Sequence, residues 1–388
     1  MTQEPSDLQR FLGPDRRSLP RPRGIALVVT LIALGITAGL FALRPGDAPL
    51  LDRSLFGFAD EVIPARVLSA EHGPCSYAAE FDCQSVLFDF DTETRTGTYL
   101  QEFAEETGSP VFQPGDPVYL SVVYGTDGTE AFNYHDRDRD PVLIAVAAGF
   151  AVAVVALGRL RGFAALVGLA ISVFVLIGFI VPSIIAGRDA VLVAVVGGGA
   201  IALVSLYLAH GFTPLTHVAA VGAFSALALT TGLSWAVVEV AELSGLASEE
   251  AFYLLPIPDI DLTGLVLAGI VLGAIGALDD VTVTQASAVW EVSKADPDLS
   301  HKALFDSGLR IGRDHIASTV NTLLLAYAGA AMPLLILFSL AGLPLGVVAS
   351  SEVVAVEIVR TLVGSIGLVA AVPITTWLAA SHRVRRTP

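Results

Sequence analysis

Long apolar runs separated by short polar ones set the plan of the chain. Apolar stretches fall at about residues 25–43, 142–158, 163–184, 190–209, 213–238, 263–285, 316–341 and 353–380. Each is close to or above the ~18–20 residues that an α-helix needs to cross the hydrocarbon core of a bilayer. The pattern predicts eight transmembrane helices. One long polar segment, about 44–140, separates the first run from the second. Inside it Glu61–Ala70, Cys83–Phe90, Gly97–Phe103 and Pro117–Tyr124 are rich in Val, Leu, Tyr and Thr, with Gly, Pro and Asp between them. That alternation predicts strands of a small β-barrel or sandwich. The expected fold is a polytopic α-helical membrane protein with a small β-rich domain between its first two helices. Its parts are a tail (1–24), a first helix (25–43), the β-rich domain (44–140), a seven-helix bundle (141–380) and a second tail (381–388).

Composition agrees with a membrane protein. Hydrophobic residues make up 54% and charged residues 15%, where soluble domains average about 25% charged. Orientation follows from Arg and Lys in the short loops. Arg10, Arg16, Arg17, Arg21 and Arg23 precede the first run; Arg159 and Arg161, then Lys294, Lys302, Arg310 and Arg313, and finally Arg383, Arg385 and Arg386 lie on the same side of an eight-span chain. The opposite loops hold Arg188 and otherwise acids: Glu242, Glu249, Glu250, Asp259, Asp261 and Glu352. Both termini are therefore expected in the cytoplasm, with residues 44–140 outside it. A basic flank before an apolar run also marks a secretion signal, but this run is longer than a signal core and lacks a clean small-residue cleavage site.

The 44–140 segment holds 19 Asp or Glu against 6 Arg, so 13 of the 16 net negative charges sit there. That balance argues against nucleic acid as a partner. Cys75 and Cys83, the two cysteines of the chain, both lie in this segment with seven residues between them. Outside the cytoplasm a disulfide is the favoured reading. A zinc site would need more ligands than these two and His72 supply.

Candidate chemistry lies inside the sixth run. At 100° per residue, Gly269, Gly273, Gly276, Asp280, Thr284, Ser287 and Glu291 fall within about 40° of one line. Asp279 falls on a neighbouring, mostly apolar face. In the seventh run Asp314, Ser318 and Asn321 share a face with Thr322 at its edge. Antiparallel neighbours with these faces opposed would gather Asp280, Asn321, Thr322 and Asp314 in one pocket. Packing alone accounts for the glycines and hydroxyls. It accounts poorly for a membrane carboxylate, so Asp280 is the leading ion- or proton-coupling candidate, with Asp279, Asp314, Asn321 and Thr322 around it. Asp314 also fits an interfacial charge favoured by the helix dipole. Glu357 and Arg360, three residues apart in the eighth run, form a local ion pair, or Arg360 snorkels to the surface. Pro333 and Pro373 allow kinks. His210, His217 and His315 with Asp280 and Asp314 make a candidate cation site, although their spacing matches no metal motif. No hydrolase, metalloprotease, phosphate-loop or dinucleotide motif is present, and the GxGD pattern of intramembrane aspartyl proteases is missing. No enzyme activity and no cofactor are expected.

Three blocks resemble the YibE/F family of bacterial membrane proteins: GALDDVTVTQASAVWEV (Gly276–Val292), GRDHIASTVNTLLLAYAG (Gly312–Gly329) and EIVRTLVGSIGLVAAVPITT (Glu357–Thr376). The resemblance covers most of the chain, is most specific from about 262 to 376, and implies the plasma membrane of a bacterium. The family's first motif often carries a single Asp, matching Asp280, so Asp279 is the departure. More distantly, LGAIGALDDVTVTQASAVWEV is similar to the fourth helix of resistance–nodulation–division (RND) transporters and of SecD and SecF. There a buried Asp takes part in proton-coupled change of shape. That likeness implies Asp280, with Asp279, as carrier of a proton or small cation, and half of a two-repeat bundle completed by a second copy or a paired membrane partner. The leading expectation is a proton- or cation-coupled transporter. The alternative is a non-transporting assembly or sensor protein whose outer domain binds a partner.

Overall fold

The computed structural model describes residues 23–46, 59–78, 80–125 and 128–382. Arg10, Arg16, Arg17, Arg21, Arg383, Arg385 and Arg386, which carry much of the orientation argument, lie outside the described residues. The chain divides into two compact units, Leu50–Ala153 and Met1–Pro49 with Val154–Pro388.

The first unit holds β1 (Glu61–Pro74), β2 (Asp82–Asp91), β3 (Thr96–Ala104), β4 (Pro117–Tyr124) and β5 (Glu130–Arg137). They form one antiparallel sheet in the order β3-β2-β1-β4-β5, a half-barrel rather than a sandwich. Side chains alternate across each strand with the period of two that a pleated strand imposes. Ile63, Ala65 and Val67 on β1, Val86, Phe88 and Phe90 on β2, and Val118, Leu120 and Val122 on β4 make the core, with Phe112. The edges β3 and β5 are bridged by side chains: the Tyr134 N–H donates to Gln101 Oε1 (2.8 Å), and Tyr99 and Phe132 rings lie 5.9 Å apart. Buried Gln84 pairs with both backbone groups of Phe112, at 2.9 Å each. Four strands lie where the alternation predicts them. The fifth, EAFNYHDR, mixes charge with its aromatics and gives no clean alternation. Cys75 and Cys83 form a disulfide that closes the loop between β1 and β2.

Glu102 on β3 ties that loop down. Its carboxylate accepts from the Ser76 hydroxyl (2.7 Å) and the Ser76 N–H (3.0 Å).

The second unit contains α1 (Arg23–Ala42), most of α2 (Asp140–Val175), a π-helical turn (Leu176–Ile180), α3 (Val181–Ile185), α4 (Ala190–His210), α5 (Pro214–Val240), α6 (Glu249–Leu254), α7 (Leu262–Ala295), α8 (His301–Ala330), α9 (Met332–Leu340), α10 (Leu345–Ser350) and α11 (Glu352–Ser381). Among the described residues, six helices are long and apolar enough to cross a bilayer, and α8 with α9, bent by 65°, supplies a seventh. Eight were expected. The difference lies in Asp140–Ile185, which runs as one 46-residue stretch. It is broken at Arg159 (φ 51°, ψ −131°), where the chain folds back so sharply that Gly162 meets the Val154 backbone. In the seventh run the break falls at Ala331 with Pro333 in the first turn of α9; Pro373 sits inside an unbroken α11.

Helix α7 is the hub. It packs against α4, α5, α8 and α11. Its buried face runs through Leu267, Ile270, Val271, Ala274, Leu278, Val281, Gln285 and Val289. Small residues let the neighbours close in, as membrane helices without a hydrophobic drive between them require. A side chain on Gly222 of α5 would meet Thr375 of α11, and one on Gly308 of α8 would meet Val289 of α7 and Thr376 of α11. The pairs also fix direction. Gly273 meets Tyr327 while Gln285 meets Gly308, so α7 and α8 are antiparallel. Gly269 meets Arg360 while Trp290 Nε1 donates to the Ala379 carbonyl, so α7 and α11 run parallel. Buried Gln285 joins all three helices, donating to the Gly308 carbonyl (2.8 Å) and Thr376 Oγ1 (2.7 Å).

Two predictions follow from this packing. Gly308→Val forces α8 off α7 and is expected to cost about 1–3 kcal/mol of thermal stability in detergent, whereas Gly276→Val, where nothing stands within 4 Å, is expected to change it by less than about 0.5 kcal/mol. In the sheet, the Ser76 hydroxyl and N–H hold the Glu102 carboxyl below its usual range. A group so depressed stabilises above its ordinary value and loses that contribution as pH falls through the lowered one. Wild type is therefore expected to melt above Glu102→Gln at about pH 7 and to lose that advantage progressively as pH falls below the ordinary glutamate value of about 4.3, read by circular dichroism of the sheet.

Candidate functional site

The two adjacent aspartates of α7 face different surroundings, because consecutive helical residues stand 100° apart. Asp279 points between α4 and α5. A small pocket there is lined by Ala202, Ala223, Phe224, Leu227, Ile275 and Leu278. Asp279 is half-buried; its Oδ1 is sealed from solvent and has no hydrogen-bond partner among the described residues, while the Ser205 hydroxyl of α4 faces the carboxyl as a hydrogen-bond donor. Ala202 and Ser205 approach because α4 carries glycines where it meets α7: a side chain on Gly198 would meet Ile275 and Leu272.

Asp280 is exposed on the single chain, with Gly276 and Thr284 exposed beside it. The Thr284 hydroxyl donates to the Asp280 backbone carbonyl (2.8 Å) and leaves the carboxylate free. His210, at the end of α4, lies within electrostatic range of Asp280 and of Arg161. The line of glycine and polar residues on α7 thus points away from the hub's buried face at its middle.

Asp314, Asn321 and Thr322 of α8 are also exposed. The Thr322 hydroxyl donates to the Ser318 carbonyl at 3.0 Å. Among the described residues no hydrogen bond or ion pair joins Asp280 to Asp314, Asn321 or Thr322, so the structure does not assemble the pocket expected from these four. The reason is that α8 meets α7 closely at Gly308 and Gly312 and again at Tyr327, while the polar face between those points turns outward. The expected histidine–aspartate cation site is not assembled either. Among the described residues no three His, Cys, Asp or Glu are placed to hold a metal ion. His217 is engaged elsewhere, its Nδ1 2.6 Å from the Thr213 carbonyl.

Farther along α7, Gly269 and Gly273 receive side chains from other helices. Arg360 of α11 lies over Gly269 and Tyr327 of α8 over Gly273. Arg360 Nη1 donates to Glu357 Oε1 at 2.8 Å. Gly276 receives nothing, so close packing explains two of the three glycines of the stripe. Ser205, Gln285, Gly308, Gly312 and Thr376 were not singled out from the sequence. A signal existed for two of them: Gly308 and Gly312 are spaced by four, the small-residue spacing of close membrane crossings.

A half-buried carboxylate with no cation beside it among the described residues is costly in an apolar bundle. Asp279→Leu is accordingly expected to raise thermal stability in nanodiscs by about 1–2 kcal/mol, and Asp280→Asn to leave it within about 0.5 kcal/mol.

The YibE/F-like protein family matches residues 146–384. That is more than half of the chain, which therefore belongs to this family. Neither a curated protein nor a solved structure matches the chain.

Proposed function

We propose that the protein is a proton- or small-cation-coupled membrane transporter whose coupling group is the Asp279 carboxylate, with Asp280 as its counterpart on the open face of the same helix. The observation that carries this is the sealed, unpartnered Oδ1 of Asp279. Such a group weakens the fold, and a rule broken at a local cost marks a working site. Among the described residues no basic side chain pairs with it. Arg360 reaches α7 at Gly269, ten residues and about 15 Å away along the axis. What neutralises the carboxylate must come and go: a proton or a small cation.

Turning α7 by about 100° carries Asp279 to the open angle that Asp280 now holds. One position is enclosed between α4 and α5; the other is open and lies near His210. Two such arrangements are what an ion-driven change of shape needs. The distant likeness to the Asp-bearing helix of RND-type transporters supports the same reading. The open face at Gly276, Asp280 and Thr284 suits a second copy or a paired membrane partner. We place the chain in the plasma membrane of a bacterium with both termini in the cytoplasm, on the distribution of Arg and Lys.

The test is flux in sealed liposomes. Purified protein, Asp279→Asn and Asp280→Asn are compared after a pH jump and under cation gradients. Wild type is expected to move charge, and Asp279→Asn to slow it by at least about tenfold, the usual size of a lost proton-transfer group. Flux unchanged in Asp279→Asn would overturn the assignment. No flux from folded, oriented wild type would overturn transport itself and favour a protein that anchors its β-rich unit for a partner.

A further inference from the structure

Helix α11 brings one guanidinium into the helical unit with half of its donors unused. Arg360 is 26% exposed and Glu357 30% exposed at their side chains. Arg360 Nη1 is taken by Glu357. Arg360 Nε is sealed and has no partner. Nη2 makes no hydrogen bond among the described residues, and it lies 3.4 Å from where a side chain on Gly269 would begin. Nε faces protein, so Nη2 is the donor left open; a charge-assisted bond to an oxygen of a carboxylate or a phosphate suits it.

A second donor stands nearby. The Tyr327 hydroxyl is placed over Gly273, one turn along α7 from Gly269, and makes no hydrogen bond among the described residues. The guanidinium carbon lies 5.9 Å from the centre of the Tyr327 ring, which holds the two side chains in one place. The glycines matter because they let the Arg360 guanidinium and the Tyr327 hydroxyl close onto α7 side by side. Tyr327 also sits one turn before the 65° break between α8 and α9. Interrupted helices at membrane depth are a common setting for ligand sites.

We propose that Arg360 and Tyr327, set over the Gly269–Gly273 notch, form a binding site for a singly charged anionic group that presents two oxygens. Nη2 takes one oxygen and the Tyr327 hydroxyl the other. Glu357 balances the charge of Arg360, which favours a monoanion over a dianion. A small free carboxylate and the phosphodiester of an anionic lipid share this chemistry. The site does not depend on the role of Asp279, which lies ten residues away on α7.

The test uses the full chain in phosphatidylcholine nanodiscs and [13C]acetate as the probe, observed by NMR saturation transfer. Wild type is expected to bind acetate saturably. Arg360→Gln should weaken binding at least about tenfold and Arg360→Lys by less, because a lysine keeps the charge while losing the fixed planar donors. Gly269→Ala should weaken it by displacing the guanidinium. Glu357→Gln should tighten it several-fold, about what removing a neighbouring like charge produces; a merely structural role for the pair predicts no tightening. The same proteins are then purified from membranes containing phosphatidylglycerol, and bound lipid is counted. Arg360-dependent retention of phosphatidylglycerol without acetate binding would assign the site to lipid headgroups. Acetate binding equal in wild type and Arg360→Gln, Glu357→Gln binding no tighter than wild type, or neither acetate binding nor Arg360-dependent lipid retention, would overturn the proposal.

Discussion

The helical unit depends on how close other helices can come to α7. Lipid tails are as apolar as leucine, so nothing drives apolar helix faces together except contact itself and the few hydrogen bonds between them. Contact requires small residues at the crossings. Gly198, Gly308 and Gly312 supply them against α7, and Gly222 and Gly367 supply them where α5 meets α11, each with a neighbour where a side chain would begin. Gln285 then joins three helices through one amide. With α7 held on one side by α4, α5 and α11, its opposite side is left for everything else, and each residue's role follows from its angle on that helix.

The polar groups near α7 occupy two separate places. Arg360 with Glu357 and Tyr327 sits over Gly269 and Gly273; Asp279 sits ten residues on, between α4 and α5. The separation keeps the basic side chain and the enclosed carboxylate from cancelling each other. Had Arg360 met Asp279, the pair would be a structural ion pair with little to do. Apart, each keeps an unmet demand: a sealed oxygen without a donor at one place, and sealed and open N–H donors without an acceptor at the other.

Much of this was legible in the sequence, for particular reasons. The apolar runs mark helices because hydrocarbon tolerates no unpaired backbone. Four strands show because Ile63, Ala65 and Val67 alternate with exposed neighbours, as do Val118, Leu120 and Val122; β5 does not show because its charges interrupt the alternation. Family membership was legible in the block around Asp279 and Asp280. The facing of that block was not. Polar residues on one line suggest an inward face, yet the interior side of α7 is mostly Ala, Val, Leu and Ile with Thr282, Gln285 and Ser293, and the polar line turns outward at its middle. A periodicity gives the angle between faces and leaves open which one meets the neighbours. The break at Arg159 falls where the apolar runs 142–158 and 163–184 part around Arg159 and Arg161, whereas the bend at Ala331 was hidden, since it is settled by backbone geometry within apolar sequence.

The central claim is that Asp279 is enclosed and Asp280 is open on the same turn of α7. Nitroxide labels placed singly at positions 274 to 285, in nanodiscs holding one chain each, test it through collision with dissolved oxygen, which reports lipid-facing exposure. The account predicts a helical period, with high collision rates at 276, 280 and 284 and low rates at 275, 278, 279 and 282. Equal protection at 279 and 280, or a maximum at 279, would contradict it.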